Sequence, residues 1–251
     1  MLSRRAALGT ILAVLLLPTS SLGVSFTFEG TTPDTSIDVR FTADLTIAGD
    51  TLTLVLTNDS LNHVNGASPS LNPNDVLSSF YFDVFDGANR PTLTYASAVG
   101  DVCLTSMAGA DDCSVVDKEA DLRAFVANDD TWQFRDGLTY QPGSETLTFG
   151  VGTAGNNSLT PNGFMGNIVD GFDYGIYAGD ATTPNLNGDL LTTGSIIFTW
   201  SGATGFTDAD ISNQAVFGLG TQPDSTGFVP EPSTGLLLAA GLLGLARRRR
   251  R

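Results

Sequence analysis

The sequence predicts an all-β protein, an antiparallel β-sandwich of the jelly-roll type, between two terminal targeting segments. Three observations support this fold class. Apolar and polar residues alternate with period two along short segments, clusters of Gly, Pro, Asn and Asp separate these segments, and a helical period is nearly absent. Eight or more such segments in a body of about 200 residues are typical of a sandwich.

The clearest element is a hairpin near the start of the body. Two alternating segments flank the turn Ala48-Gly49-Asp50, and Asn58-Asp59-Ser60 ends the second one. One face of the pair is apolar, which predicts a strand pair that packs on a core with this face. The apolar face consists of Phe41, Ala43, Leu45 and Ile47 before the turn, and of Leu52, Leu54 and Leu56 after it.

Other segments of the body carry weaker versions of the same pattern. Residues Lys118–Ala127 are predicted as a short helix, and 220–228, which lack periodicity, as a linker, so the folded body covers 24–219. The remaining predicted strands are Val24–Phe28, Ser79–Phe85, Thr92–Ala98, Glu145–Val151, Gly171–Tyr177, Gly194–Trp200 and Gln214–Gly218.

The first 23 residues have the form of a secretory signal peptide. Arg4 and Arg5 precede an apolar run, and Ser21 and Gly23 place small residues at −3 and −1 of a cut before Val24. Ser3-Arg4-Arg5 with Leu8 also resembles a twin-arginine signal, so the translocon is either Sec or Tat.

Residues 229–251 form a second targeting segment. The motif Val229-Pro230-Glu231-Pro232 precedes an uncharged run, 233–246, and five terminal arginines, Arg247, Arg248, Arg249, Arg250 and Arg251. As a helix the run spans about 21 Å, which is short against a bilayer core of roughly 30 Å. The arginines favour a cytoplasmic C-terminus. A buried C-terminal helix is the alternative, but the run lacks the polar stripe of a solvent-facing side.

The motif, the run and the basic end together resemble the PEP-CTERM sorting signal. The resemblance covers about a tenth of the chain and implies recognition by an exosortase, a membrane-embedded cysteine peptidase or transpeptidase. It also implies a Gram-negative bacterium that makes extracellular polysaccharide. The short span then crosses the inner membrane only transiently, before the protein reaches the cell surface or the medium.

The exported body is more acidic than the whole chain, whose net charge is −15. Without Arg4, Arg5 and the terminal arginines, 5 of the 12 basic residues remain. Without Glu231, 26 of the 27 acidic residues remain, so the net charge is near −21. Such a body repels nucleic acid and anionic lipid and can attract divalent cations.

The two cysteines, Cys103 and Cys113, predict a disulfide, because an even count in an exported chain favours pairing. Two free thiols or a metal pair are the alternatives. A zinc site is disfavoured, since the chain has a single histidine, His63.

The sequence predicts no catalytic residue. His63 lies in a polar loop without a nucleophile elbow. Gly150–Gly155 matches G-x-G-x-x-G, but a breaker run follows it where a dinucleotide site needs a helix, so a flexible turn is predicted. Carboxylate pairs of the kind that glycosidases use occur at Asp111/Asp112, Asp129/Asp130, Asp170/Asp173 and Asp208/Asp210, as expected by chance in an acidic chain.

Two kinds of ligand site remain candidates, and no other cofactor is predicted. Calcium prefers Asp and Asn oxygens in loops, and the candidate ligands are Asn185, Asn187, Asp189, Asp208 and Asp210. Trp132 has polar neighbours and is the candidate for an exposed residue that stacks on sugars, whereas Trp200 shares a strand face with apolar residues and is predicted to lie in the core.

Two functions follow as hypotheses. The first is a non-enzymatic surface or matrix protein that an exosortase sorts and that associates with extracellular polysaccharide. The second is a carbohydrate-binding module or, in a stronger form, a glycoside hydrolase. A sandwich fold alone does not choose between them.

Overall fold

The computed structural model describes residues 23–31, 38–60, 76–104, 114–123, 132–141, 144–153, 175–177, 190–219 and 226–229. Within these ranges the chain forms twelve strands and one short 3₁₀ turn, Asp208–Asp210. The strands are β1 Val24–Thr31, β2 Asp38–Ala48, β3 Thr51–Asn58, β4 Leu77–Phe82, β5 Thr94–Leu104, β6 Ser114–Asp121, β7 Gln133–Arg135, β8 Phe149–Gly152, β9 Ile176–Tyr177, β10 Leu190–Ser201, β11 Ala215–Leu219 and β12 Thr226–Val229. The all-β prediction is confirmed.

The strands form one branched hydrogen-bonded network. The main path runs β1-β2-β3-β10-β9-β4-β11-β12; β5 and β6 extend from β10, and β8 and β7 extend from β4. Among the named strands the pairs are antiparallel, except for β9 with β10. β1 and β12, at the two ends of the path, are also neighbours in space. The jelly-roll order stays a prediction.

Strand β10 joins the two halves of this network. One half is β1, β2, β3, β5 and β6, and the other is β9, β4, β11, β12, β8 and β7. Its residues Ser195–Ser201 pair with β3, whereas Thr192 and Thr193 pair with β9. The ladder to β5 shifts register between Thr193 and Ile196, where Gly194 has φ +66°. Such a bulge bends a strand and increases its twist. β10 therefore contributes to both halves, which cover one shared core.

The predicted hairpin is β2 with β3. The seven apolar residues assigned to its inner face are all buried, with Leu45 opposite Leu54. Gly49 has φ +65° at the first turn position, the conformation that a type II′ turn requires. Asp50 fixes the turn to the loop after β10, since its carboxylate accepts hydrogen bonds from the Gly202 N–H and the Thr204 hydroxyl. These bonds lower the pKa of Asp50, chiefly through Thr204.

An aromatic cluster fills the space between the halves. Phe217 contacts Phe41 and Phe80 with ring centroids 6.0 and 5.0 Å apart, and Trp200 lies 5.9 Å from Phe82. All five side chains are fully buried. Trp200 is therefore a core residue, as predicted, and the core is continuous from the hairpin to β11.

The predicted helix over Lys118–Ala127 is wrong for 118–121, which lie in β6. Val99 pairs with Asp121 and Gly100 with Ala120, so the edge of β5 holds this segment in a strand. The helical propensity of a few residues is weak compared with a paired ladder. Residues 124–127 lie outside the described ranges.

Candidate functional site

The predicted sorting motif begins on the last described strand. β12 pairs antiparallel with β11, and Val229 lies opposite Ala215. The next residue, Pro230, has no N–H and cannot continue the ladder. The linker prediction for 220–228 is thus wrong for 226–228, which belong to β12, because they cover the free edge of β11. Pro230, Glu231, Pro232, the predicted span 233–246 and Arg247–Arg251 lie outside the described residues.

The other predicted processing boundary lies at the start of β1. Gly23 directly precedes this strand, and its N–H donates to Asp208 Oδ2 at 3.0 Å. The Ile47 N–H donates to Asp208 Oδ1 at 2.6 Å. One carboxylate on the 3₁₀ turn therefore holds the beginning of β1 and the end of β2 together.

Trp132 is not an exposed stacking residue. Its side chain is 0 % exposed and packs edge-on against Phe198, with ring centroids 5.3 Å apart. The Tyr95 hydroxyl donates to the Trp132 carbonyl at 3.3 Å. The polar neighbours in the sequence were misleading, because an adjacent pairing between Arg123 and Trp132 directs this segment over the core. Burial raises the pKa of Tyr95, so its hydroxyl stays protonated.

The most buried charge of the described chain is Asp83, whose role the sequence did not indicate. Its side chain is 1 % exposed and receives Arg90 Nη2 at 2.8 Å and Arg90 Nε at 3.1 Å. The Val84 N–H and the Thr148 hydroxyl also donate to it. The hydrogen bonds that Arg90 itself donates to Asp83 raise the pKa of Arg90. The pair links β4 to two loops and has no free oxygen aimed at a ligand, which fits a structural ion pair.

A second polar cluster joins the segment before β8 to the segment before β11. The Ser212 hydroxyl donates to Glu145 Oε2 at 2.5 Å and also accepts the Gln214 N–H at 2.9 Å. Gln214 Nε2 donates to the Ser144 hydroxyl at 2.7 Å. Ser212 is 2 % exposed, so its hydroxyl closes a local turn and is not presented to a substrate.

The structure describes two of the five calcium candidates, Asp208 and Asp210. Asn185, Asn187 and Asp189 lie outside the described ranges. The Asp210 carboxylate accepts the Thr207 N–H at 2.7 Å and the Thr207 hydroxyl at 2.9 Å, and Asp208 holds the two N–H groups named above. In the described part of the chain, no group of three or more His, Cys, Asp or Glu side chains is arranged for a metal ion.

The remaining predicted features are placed as follows. Gly150 and Gly152 lie in β8, which pairs with β4 and β7. The predicted turn is therefore wrong at these two residues, whose backbone belongs to a sheet. His63 and the carboxylate pairs, apart from Asp208/Asp210, lie outside the described residues. Within the described ranges no helix is long and apolar enough to cross a membrane.

Cys103 is buried on β5 and is not a free thiol. Its predicted partner, Cys113, lies outside the described residues. β5 and β6 form a hairpin in which Leu104 pairs with Ser114, the residues next to the two cysteines. Cys103 itself pairs with Val115, and the disulfide stays a prediction.

A comparison with protein-family models gives a match at the C-terminus. Residues 228–251 match the family model of the PEP-CTERM protein-sorting motif. This finding confirms the resemblance that the sequence showed, and it implies exosortase-dependent export to the cell surface. A search of curated proteins finds no match for the chain.

Proposed function

We propose that this protein is a non-enzymatic surface or extracellular-matrix protein that an exosortase sorts and processes, and that associates with extracellular polysaccharide. The observation that carries the proposal is the sorting motif at 228–251, whose first residues lie in β12. Phe228 and Val229, the first two residues of the match, therefore belong to a paired strand of the body.

The polar centres of the described chain support a structural role for the body. Asp83 and Asp208 each accept hydrogen bonds from more than one segment of the chain. Ser212 bonds to its own turn. A general acid or nucleophile needs a group that can reach a substrate, and these side chains are committed to holding strands and loops together.

The outer face of β3, β10 and β5 supports the association with polysaccharide. Ile197 is 45 % exposed and lies between Val55 and Val99 on the two neighbouring strands. Asp44 and Asp121 lie at the two ends of this row, opposite Val55 and Val99. Hydroxyl residues lie above and below it: Thr51, Thr53, Thr57, Ser97, Ser195, Thr199 and Ser201. Hydroxyls can hydrogen-bond to sugars and the aliphatic row can pack on their C–H groups. The acidic body disfavours anionic polymers, so the expected ligand is a neutral glycan.

The sorting proposal is tested by deleting residues 230–251, and separately by changing Glu231→Ala within the full chain. Both variants should accumulate in cells or membranes instead of reaching the surface, and removal of the exosortase should have the same effect. Arg40→Ala, a surface change in the body, is the matched control and should sort normally. Normal surface delivery of the deletion variant would exclude the sorting role.

The glycan proposal is tested by binding the exported body to a panel of neutral and anionic polysaccharides. Ile197→Asp should abolish binding to the neutral members without unfolding the protein, whereas Asp136→Asn, an exposed change away from this face, should bind normally. Absence of binding to every polysaccharide would contradict this part of the proposal and leave the sorting part intact.

A further inference from the structure

We propose that Asp208 binds the α-ammonium group that removal of the signal peptide creates at the start of β1. The inference rests on the proposed export, and it assigns to the 3₁₀ turn Asp208–Asp210 a role as receptor for the processed N-terminus. Signal-peptide removal would then tighten the body as well as release it.

The geometry around Asp208 provides the first argument. Its two oxygens accept N–H groups from Gly23 and Ile47, at 3.0 and 2.6 Å. These residues are far apart in the sequence but belong to neighbouring strands, since Val24 pairs with Leu45. The carboxylate therefore lies at the corner where β1 begins, within one residue of the predicted cut.

Gly23 places the predicted cut at this corner in the unprocessed chain. Its φ is +60°, and a Cβ atom there would lie 2.7 Å from Thr46 Cγ2 and 3.0 Å from the Leu45 carbonyl oxygen. Only glycine fits such a position without strain. The cleavage pattern of a secretory signal also requires a small residue at −1. Before processing, the fold and the predicted cut therefore both require a small residue here, and the cut then leaves Val24 as the first residue of β1.

The chemistry of the cut supplies the charge. Hydrolysis of the Gly23–Val24 bond consumes one water, leaves a carboxylate on Gly23 and gives Val24 an amine that is protonated at neutral pH. Asp208 loses the neutral Gly23 N–H and gains a cationic donor on the adjacent residue. The bond from Gly23 already has an ionised acceptor, so what cleavage adds is the attraction between the carboxylate and a full positive charge. β1, the end strand of the main path, should therefore be held more firmly after processing.

The test uses the processed chain, Val24–Arg251, in detergent, prepared from a fusion so that Val24 is the first residue. Lys118 is the single lysine, and Lys118→Arg leaves the α-amine as the only amine that an acetylating reagent can modify. Acetylation should lower the Tm by about 2–4 °C, the shift of a single interaction in a chain of this size. Asp208→Asn should remove this acetylation effect, whereas Asp44→Asn, on the exposed side of β2, should retain it.

Two results would overturn the proposal: an unchanged Tm on acetylation, or an equal shift in the Asp208→Asn chain. Should Asp208→Asn not fold, amide hydrogen exchange at Ile47 replaces it. Exchange there should quicken on acetylation, and equal exchange would also reject the receptor role. Failure of the proposed export has a different signature, because N-terminal sequencing of the native protein would then begin at Met1.

Discussion

Replacement of Arg90 by alanine should destabilise the body far more than loss of an equally well-formed surface pair. Asp83 is 1 % exposed at its side chain and Arg90 is 39 % exposed. Breaking a buried pair by removal of one partner costs about 3–5 kcal/mol, because the other charge stays buried. Since water can enter from the Arg90 side, we expect a loss near the lower end, about 3 kcal/mol.

The Asp121–Arg123 pair is the matched control. It is also bidentate, with Arg123 Nε at 2.9 Å and Nη2 at 2.6 Å from the Asp121 oxygens. Its side chains are 44 % and 28 % exposed, and exposed pairs contribute about 0–1 kcal/mol. Arg123→Ala should therefore cost much less than Arg90→Ala, although it also loses the hydrogen bond to the Ala96 carbonyl.

Urea unfolding of the exported body measures both losses, with constant m as the check on two-state behaviour. Asp83→Asn in the Arg90→Ala background should recover part of the stability, because a neutral amide needs no cationic partner. Equal losses for Arg90→Ala and Arg123→Ala, or no recovery in the double variant, would refute the view that burial of the Asp83 charge sets the cost.

Three further changes separate the contributions of core, backbone and surface. Trp132→Ala should lower the unfolding free energy by about 3–5 kcal/mol through the cavity it leaves, whereas Ile197→Ala should cost much less; similar losses would mean that Trp132 is not a core residue. Glu119 has φ +52° and its N–H bonds to Asp101. Glu119→Gly should therefore raise stability by about 0.5–1 kcal/mol, and Glu119→Ala should not, as thermal unfolding would show. Hydrogen bonds from Arg123 lower the pKa of Asp121, so this pair stabilises the fold above the unfolded-state pKa of about 3.9 and ceases to do so as the pH falls through the lower folded-state pKa. The Tm of Asp121→Asn should fall less than that of the wild type between pH 7 and pH 2; an equal fall would contradict the pKa shift.

The β2–β3 hairpin was predictable because its signal is local. Alternation over a few residues fixes which face is apolar, and a glycine at the turn fixes the register. The boundaries of weaker strands were less accurate. Predicted Gly194–Trp200 is the second half of β10, which begins at Leu190, because pairing with β5 and β9 extends it beyond the apolar run.

The candidate sites also differ in whether neighbours along the chain or neighbours in space determine their roles. Trp132 has polar neighbours along the chain, yet its neighbours in space are Phe198 and Tyr95. Asp83 was one carboxylate among many, and only the approach of Arg90 and Thr148 gives it a role. A carboxylate directly after an apolar strand, followed within ten residues by an arginine, was the available signal, and it is too common to be specific.

The sequence by itself indicated that this protein is sorted for export. A sorting signal is recognised as a linear segment, whose proline, acidic, apolar and basic parts follow one another along the chain. The tertiary structure decided which residues are buried and which contacts hold the first and last described strands. Gly23 lies at the corner held by Asp208, and Val229 still pairs with Ala215. These contacts join residues that are distant in the sequence, so their energies depend on pairing and burial that no local pattern specifies.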